Sequence, residues 1–248
     1  MSTLVLALVA GAVVGMALGA LGGGGSVLAV PALIYLLGFT PAAATTASLI
    51  IVTATSATAL YTHATSGNVR WRTGALFAAA GIPPAMAAAA LAAQLPGQLL
   101  TAAFAAVAGL AALRMLKSPV PEDEVRPVRP VRAAGAGAGL GAVTGFLGVG
   151  GGFLAVPALV GVLGLRMRAA IGTSLLVITV NSFAALTVRT GGAGPLDWAV
   201  VAPFTGAAIL AARDGKRLSA AVKGPTLQRI FAVVLLSVAA FMLTDAIR

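Results

Sequence analysis

The chain has 248 residues, 59% of them hydrophobic and only 9% charged, and carries a net charge of +10 from 16 Lys and Arg against 6 Asp and Glu. Soluble domains are about one quarter charged, and no single aqueous core absorbs this much apolar surface, so the composition specifies an integral membrane protein. The positive balance does not indicate nucleic acid: the basic residues stand in ones, twos and threes between long apolar runs, as topology signals do.

A helical span needs about 20 mostly apolar residues. The first apolar stretch, Leu4–Leu21, has no preceding Lys or Arg to form the positive region of a signal peptide, so it is expected to remain as a membrane segment. Val27–Leu37, Ala43–Tyr61, Thr73–Ala93 and Gly97–Leu116 follow. A polar linker over residues 117–132 then carries four prolines and the run Glu122-Asp123-Glu124. Beyond it come Ala133–Leu147, Phe153–Leu163, Ala169–Val188, Leu196–Ala212 and Leu227–Leu243. In each set the second segment has about 11 residues, too few to span comfortably. The expected fold is all-α, a polytopic helical membrane protein of 8 to 10 membrane segments, with one repeat over 1–116, a cytoplasmic linker over 117–132 and a second repeat over 133–248.

The two halves are related. Shifted by 126 residues, Gly11–Leu33 falls on Gly137–Leu159 with 14 of 23 positions identical, Pro31/Pro157 among them. The register continues through Ser48/Ser174, Thr53/Thr179 and Ser56/Ser182, and after one residue of slippage through Gly67/Gly194, Trp71/Trp198, Leu100/Leu227 and Phe104/Phe231. Five segments is an odd number, so the second repeat is expected to enter the membrane from the opposite side. With the linker in the cytoplasm, 14 of the 16 basic residues fall inside and only Arg189 and Arg248 outside. That bias favours an inverted repeat over a parallel duplication and implies a multi-pass protein of the cell membrane.

Two glycine runs interrupt apolar sequence at corresponding places: Gly22, Gly23, Gly24, Gly25 and Ser26 in the first repeat, and Gly148, Gly150, Gly151 and Gly152 in the second. Each glycine costs a helix up to ~1 kcal/mol relative to alanine. Irregular backbone at membrane depth is tolerated only where protein buries it or it lines a cavity, and paired breaks in the halves of an inverted repeat point to a transporter's central site. The short helices expected from Ser26 and Phe153 turn N–H groups and a positive dipole end toward that site, which suits an anion. Thr46, Ser48, Thr173, Ser174 and Asn181 supply hydroxyls and an amide that can hold an oxyanion without a buried countercharge; their competing role is to join helices. Gly11/Gly15/Gly19 and Gly137/Gly141/Gly145 have the spacing of close helix contacts and are assigned to packing.

Several chemistries are absent. Gly19–Ser26 has P-loop spacing, but Gly25 stands where the phosphate-binding lysine belongs. There is no Cys, and the one His, His63, cannot build a histidine metal cluster, so no metal or cofactor is expected. All six acids fall in loops or at segment ends, which leaves no carboxylate proton relay and no aspartate pair for an intramembrane protease. The chain is not expected to be an enzyme.

With these elements in place the sequence resembles the sulfite exporter TauE/SafE family over nearly its full length. The resemblance rests on the duplicated element at Gly19–Leu33 and Gly145–Leu159, on Ala170-Ile-Gly-Thr-Ser-Leu175, on Gly67-Asn-Val-Arg-Trp71 with Gly194-Pro-Leu-Asp-Trp198, and on Leu227-Gln-Arg-Ile-Phe231. It implies a permease that moves sulfite, organosulfonates or related small anions, usually outward. The residues leave three readings open: a secondary transporter working by alternating access, an anion channel, and a membrane scaffold that transports nothing. The expected partners are the bilayer, a small anion and, at most, further copies of the chain.

Overall fold

The structure, a computed structural model, describes residues 2–92, 97–117, 129–146, 152–189 and 196–247. Among these the chain is all helical. The first half runs α1 (Ser2–Leu21), α2 (Gly24–Pro31) with a π-helical turn over Ala32–Leu36, α3 (Pro41–Ala64), α4 (Trp71–Ala92) and α5 (Gly97–Lys117). The second runs α6 (Pro130–Phe146), α7 (Gly152–Gly161), α8 (Met167–Arg189), α9 (Trp198–Ala221) and α10 (Gly224–Ile247). Residues 118–128 of the linker lie outside the described residues.

Four of these helices contain stretches long and apolar enough to cross a membrane: Thr3–Leu21, Ala43–Ala64, Met167–Thr187 and Gly224–Phe241. Three of the remaining helices differ in length or polarity. α2 and α7 have 8 and 10 residues, and α9 continues through Arg213, Asp214, Lys216 and Arg217 to Ala221, nine residues past the apolar segment expected from sequence. Helix propensity carries that polar extension once its inner face is packed: Gly215 and Ser219 are buried within it.

The principal pairings of long helices recur when each helix is exchanged for its counterpart five places along the chain. α1 packs along α9 and α6 along α4; α3 packs on α8, α5 on α10 and α2 on α7. The long pairs depend on missing side chains. A Cβ at Gly11, Gly15 or Gly19 would run into the backbone of Phe204, Ala208 or Ala212 of α9. One at Gly137 or Gly141 would meet Phe77 or Gly81 of α4 in the same way. The numbers ascend together, so both pairs run parallel. Close backbone approach replaces the hydrophobic force that lipid cannot provide between helices, and the packing role expected for these glycines holds. Polar ties add to it: the Gln228 amide of α10 donates to the Met115 carbonyl of α5 at 2.7 Å.

α3 and α8 cross differently. The Ser56 and Thr179 hydroxyl oxygens lie 2.9 Å apart near mid-helix, while Asn68 and Arg70, just beyond the end of α3, meet Gly172 and Thr173 near the start of α8. As one number rises the other falls, so these two counterparts are antiparallel. Both short helices end alike. The Gly38 and Phe39 N–H groups donate to the Ile34 and Leu33 carbonyls, and Gly164 and Leu165 do the same to Val160 and Leu159. Gly38 and Gly164 have φ of +70° and +67°, the left-handed stop that glycine supplies cheaply.

Replacing Gly15 or Gly141 by leucine is expected to destabilise the detergent-solubilised protein by about 1–3 kcal/mol, an overpacking cost. Gly139→Leu is the control, because nothing lies within 4 Å of its missing Cβ. Thermal unfolding of the three variants checks the difference.

Candidate functional site

The first glycine run breaks the helix more briefly than its composition suggests. Only Gly22 and Gly23 separate α1 from α2, and Gly24, Gly25 and Ser26 form the first turn of α2. Packing overrides propensity here: the missing Cβ of Gly25 lets α2 lie against Leu18 and the Val14 carbonyl of α1. In the second run Gly152 opens α7, one residue ahead of the expected start at Phe153, while Gly148, Gly150 and Gly151 lie outside the described residues.

Gly22 is the turning point, with φ +73°. A Cβ there would stand 2.5 Å from the Ser174 hydroxyl and 3.2 Å from Ile171 and Val156. The break of the first half is therefore pressed against α7 and α8 of the second. Along α8, Ser174 lies five residues before Thr179, about 7–8 Å at 1.5 Å per residue. The first break thus sits to one side of the α3–α8 crossing, whereas the sequence reading places both breaks at one central point.

The favoured polar residues divide by what they touch. Thr46, Ser48, Thr173 and Ser174 are all buried. The Ser48 and Ser174 hydroxyls donate to the Thr45 and Ile171 carbonyls, each at 2.8 Å and each three residues back, as repeat counterparts. Their single protons are spent on their own helices. Thr173 accepts the Arg70 backbone N–H at 3.1 Å and so fixes the entry to α4.

Asn181 carries an Oδ1 atom without a partner, and so does its counterpart Thr55 at Oγ1. The sequence reading favours Asn181 and passes over Thr55, although the 126-residue register pairs them. A buried polar atom left unpaired costs about 1–3 kcal/mol. Two such atoms at equivalent places, flanking the Ser56–Thr179 bond, mark the crossing as the polar centre of the molecule. Thr53 and Thr179 back-bond to Leu49 and Leu175 at 2.6 and 2.7 Å, again as counterparts.

His63, which the sequence reading sets aside as a metal ligand, is a further buried polar residue. It is buried at the end of α3, and its Nε2 lies 3.1 Å from the Gly19 carbonyl in the last turn of α1. The break, the start of α8 and the α3–α4 turn are thereby tied together. Among the described residues no group of acidic or His side chains could hold a metal ion. An apolar groove of about 380 Å³ between α1, α2 and α10 offers an anion no side-chain donor besides Tyr35, which stacks edge-on against Phe241.

Residues 7–242 match the family described as Sulfite exporter TauE/SafE. Proteins described as "Probable membrane transporter protein" from two strains of Xylella fastidiosa, 9a5c and Temecula1, are 33% and 32% identical over 97% of this chain and 95% of their own length. No solved structure matches.

Gly22 and Gly38 share a left-handed backbone but not their surroundings, since nothing lies within 4 Å of a Cβ at Gly38. Gly38→Ala is expected to lose only the conformational term of about 1–2 kcal/mol, and Gly22→Ala more. Ser174→Ala placed on top of Gly22→Ala should recover the excess. Unfolding of the four proteins as a double-mutant cycle measures it.

Proposed function

Because the chain belongs to the sulfite exporter TauE/SafE family, we propose that it is a secondary transporter that carries sulfite, organosulfonates or a related small oxyanion outward across the cell membrane by alternating access. The observation that carries this reading is the antiparallel crossing of α3 and α8. Counterpart helices related in this way are what an inverted repeat produces, and the hydroxyl and amide groups gathered where they cross suit an oxyanion.

In this reading the anion binds without a fixed countercharge. Thr55 offers a hydroxyl proton, Asn181 an amide, and the first turn of α2 its N–H groups, which no side chain caps. The first glycine break, at Gly22 and Ser174, then acts as a station to one side of the crossing. A negative interior drives each unit charge outward by about 2.3 kcal/mol per 100 mV, so export needs no buried carboxylate. The linker stays cytoplasmic and repeat 1, over 1–116, faces opposite to repeat 2, over 133–248, with all ten helices inside or at the membrane.

The moving bodies in this scheme are not the two sequence halves. α1 is locked to α9 and α6 to α4 by backbone contact, so each rigid pair draws one helix from either half. Alternating access then rocks the α1–α9 pair against the α4–α6 pair, with α3 and α8 between them.

The test is tracer flux in proteoliposomes for sulfite, methanesulfonate, thiosulfate and sulfate, with and without a membrane potential. The wild type is expected to show saturable uptake with counterflow for at least one of them, and Ser56→Ala combined with Thr179→Val to lower the rate at least tenfold. Flux that rises linearly without counterflow would make the protein a channel. No flux for any of the four would overturn the proposal.

A further inference from the structure

His63 is the only histidine in the chain. It is 2% exposed at the end of a membrane-spanning stretch, and its two ring nitrogens are in unequal situations. Nε2 lies 3.1 Å from the Gly19 carbonyl. A carbonyl only accepts, so in the neutral ring the proton sits on Nε2 and Nδ1 is left as the base. Nδ1 is buried and has no partner. Gly19 stands three residues before Gly22, the turn pressed against Ser174. A base is thus held beside the glycine break by a bond that also fixes its tautomer.

The surroundings carry little other titratable chemistry. Of the elements packed against α3, α1 and α2 have no ionisable side chain, the π-helical turn has only Tyr35, and α8 has only Arg168 and Arg189 near its two ends. α9 brings Arg213, Asp214, Lys216 and Arg217, of which Asp214 and Arg217 pair with each other. Among the described residues of these elements the one carboxylate, Asp214, is paired with Arg217 and does not answer a proton on His63.

We propose that His63 takes up a proton at Nδ1 together with binding of the anion at the adjacent glycine break, so that proton and anion occupancy are thermodynamically linked. The inference rests on the transporter reading above. The proton comes from water and forms an Nδ1–H bond; the ring becomes an imidazolium while Nε2–H keeps its bond to Gly19, and the new charge and donor are balanced by the anion. By reciprocity the anion binds more tightly as pH falls, and bound anion makes His63 harder to deprotonate.

A single histidine allows the test without mutation. With ¹⁵N-histidine in the full-length protein in lipid nanodiscs, the ring resonances report His63 alone. Saturating methanesulfonate, which does not titrate near neutrality, or in a separate sample sulfite, is expected to raise the His63 midpoint by at least about 0.7 pH unit, the equivalent of fivefold coupling. In proteoliposomes the wild-type KM should fall at least fivefold from pH 8 to pH 6, and His63→Gln, which keeps a donor for Gly19, should flatten that dependence. A midpoint unmoved by both anions, or a pH dependence retained in His63→Gln, overturns the inference. A wild type that carries neither anion at any pH defeats the transporter reading as well; one that carries an anion while the His63 midpoint stays fixed defeats this inference alone.

Discussion

The whole arrangement depends on glycine letting helix backbones touch where the surroundings are as apolar as the helices. In lipid, burying leucine against leucine gains little, and association rests on close packing and hydrogen bonds. Gly11, Gly15 and Gly19 allow α1 to lie along Phe204, Ala208 and Ala212 of α9, and Gly137 and Gly141 do the same for α6 on Phe77 and Gly81 of α4. Because each contact joins one half of the chain to the other, the halves interlock. That interlocking sets Gly22 against Ser174 and brings α3 and α8 into contact as an antiparallel pair.

The crossing is built almost entirely from neutral groups. Most of its hydroxyls are bonded to their own helices, as with Ser48, Thr53, Ser174 and Thr179. The exceptions, Thr55 and Asn181, occupy one position in the repeat. In the transporter reading proposed above, such a site takes an anion with several acceptor oxygens and lets it go again, because no buried cation holds it permanently. In the same reading His63 is the nearby group proposed to follow the charge of the cargo.

Much of this was legible in the amino-acid order. The apolar runs marked all ten helices, and the 126-residue register paired Gly11 with Gly137 and Ser56 with Ser182 before any contact was known. Spacing alone also separated the packing glycines from those of the breaks. What sequence did not carry was reach across the fold. Gly24 and Gly25 read as helix breakers, yet α1 stabilises them as the first turn of α2. Thr173 also holds the entry to α4 through the Arg70 N–H, a bond over 103 positions. The polar end of α9 read as loop because its burial comes from packing partners distant in sequence.

The central claim is that counterpart positions of the two halves face opposite sides of the membrane, with the anion path between them. The chain contains no cysteine, so single substitutions report cleanly. Ser48→Cys and Ser174→Cys, each in proteoliposomes of known orientation, should react with a membrane-impermeant thiol reagent from opposite sides, with transported anion slowing both. Labelling of both positions from the same side, or rates indifferent to the anion, would contradict it.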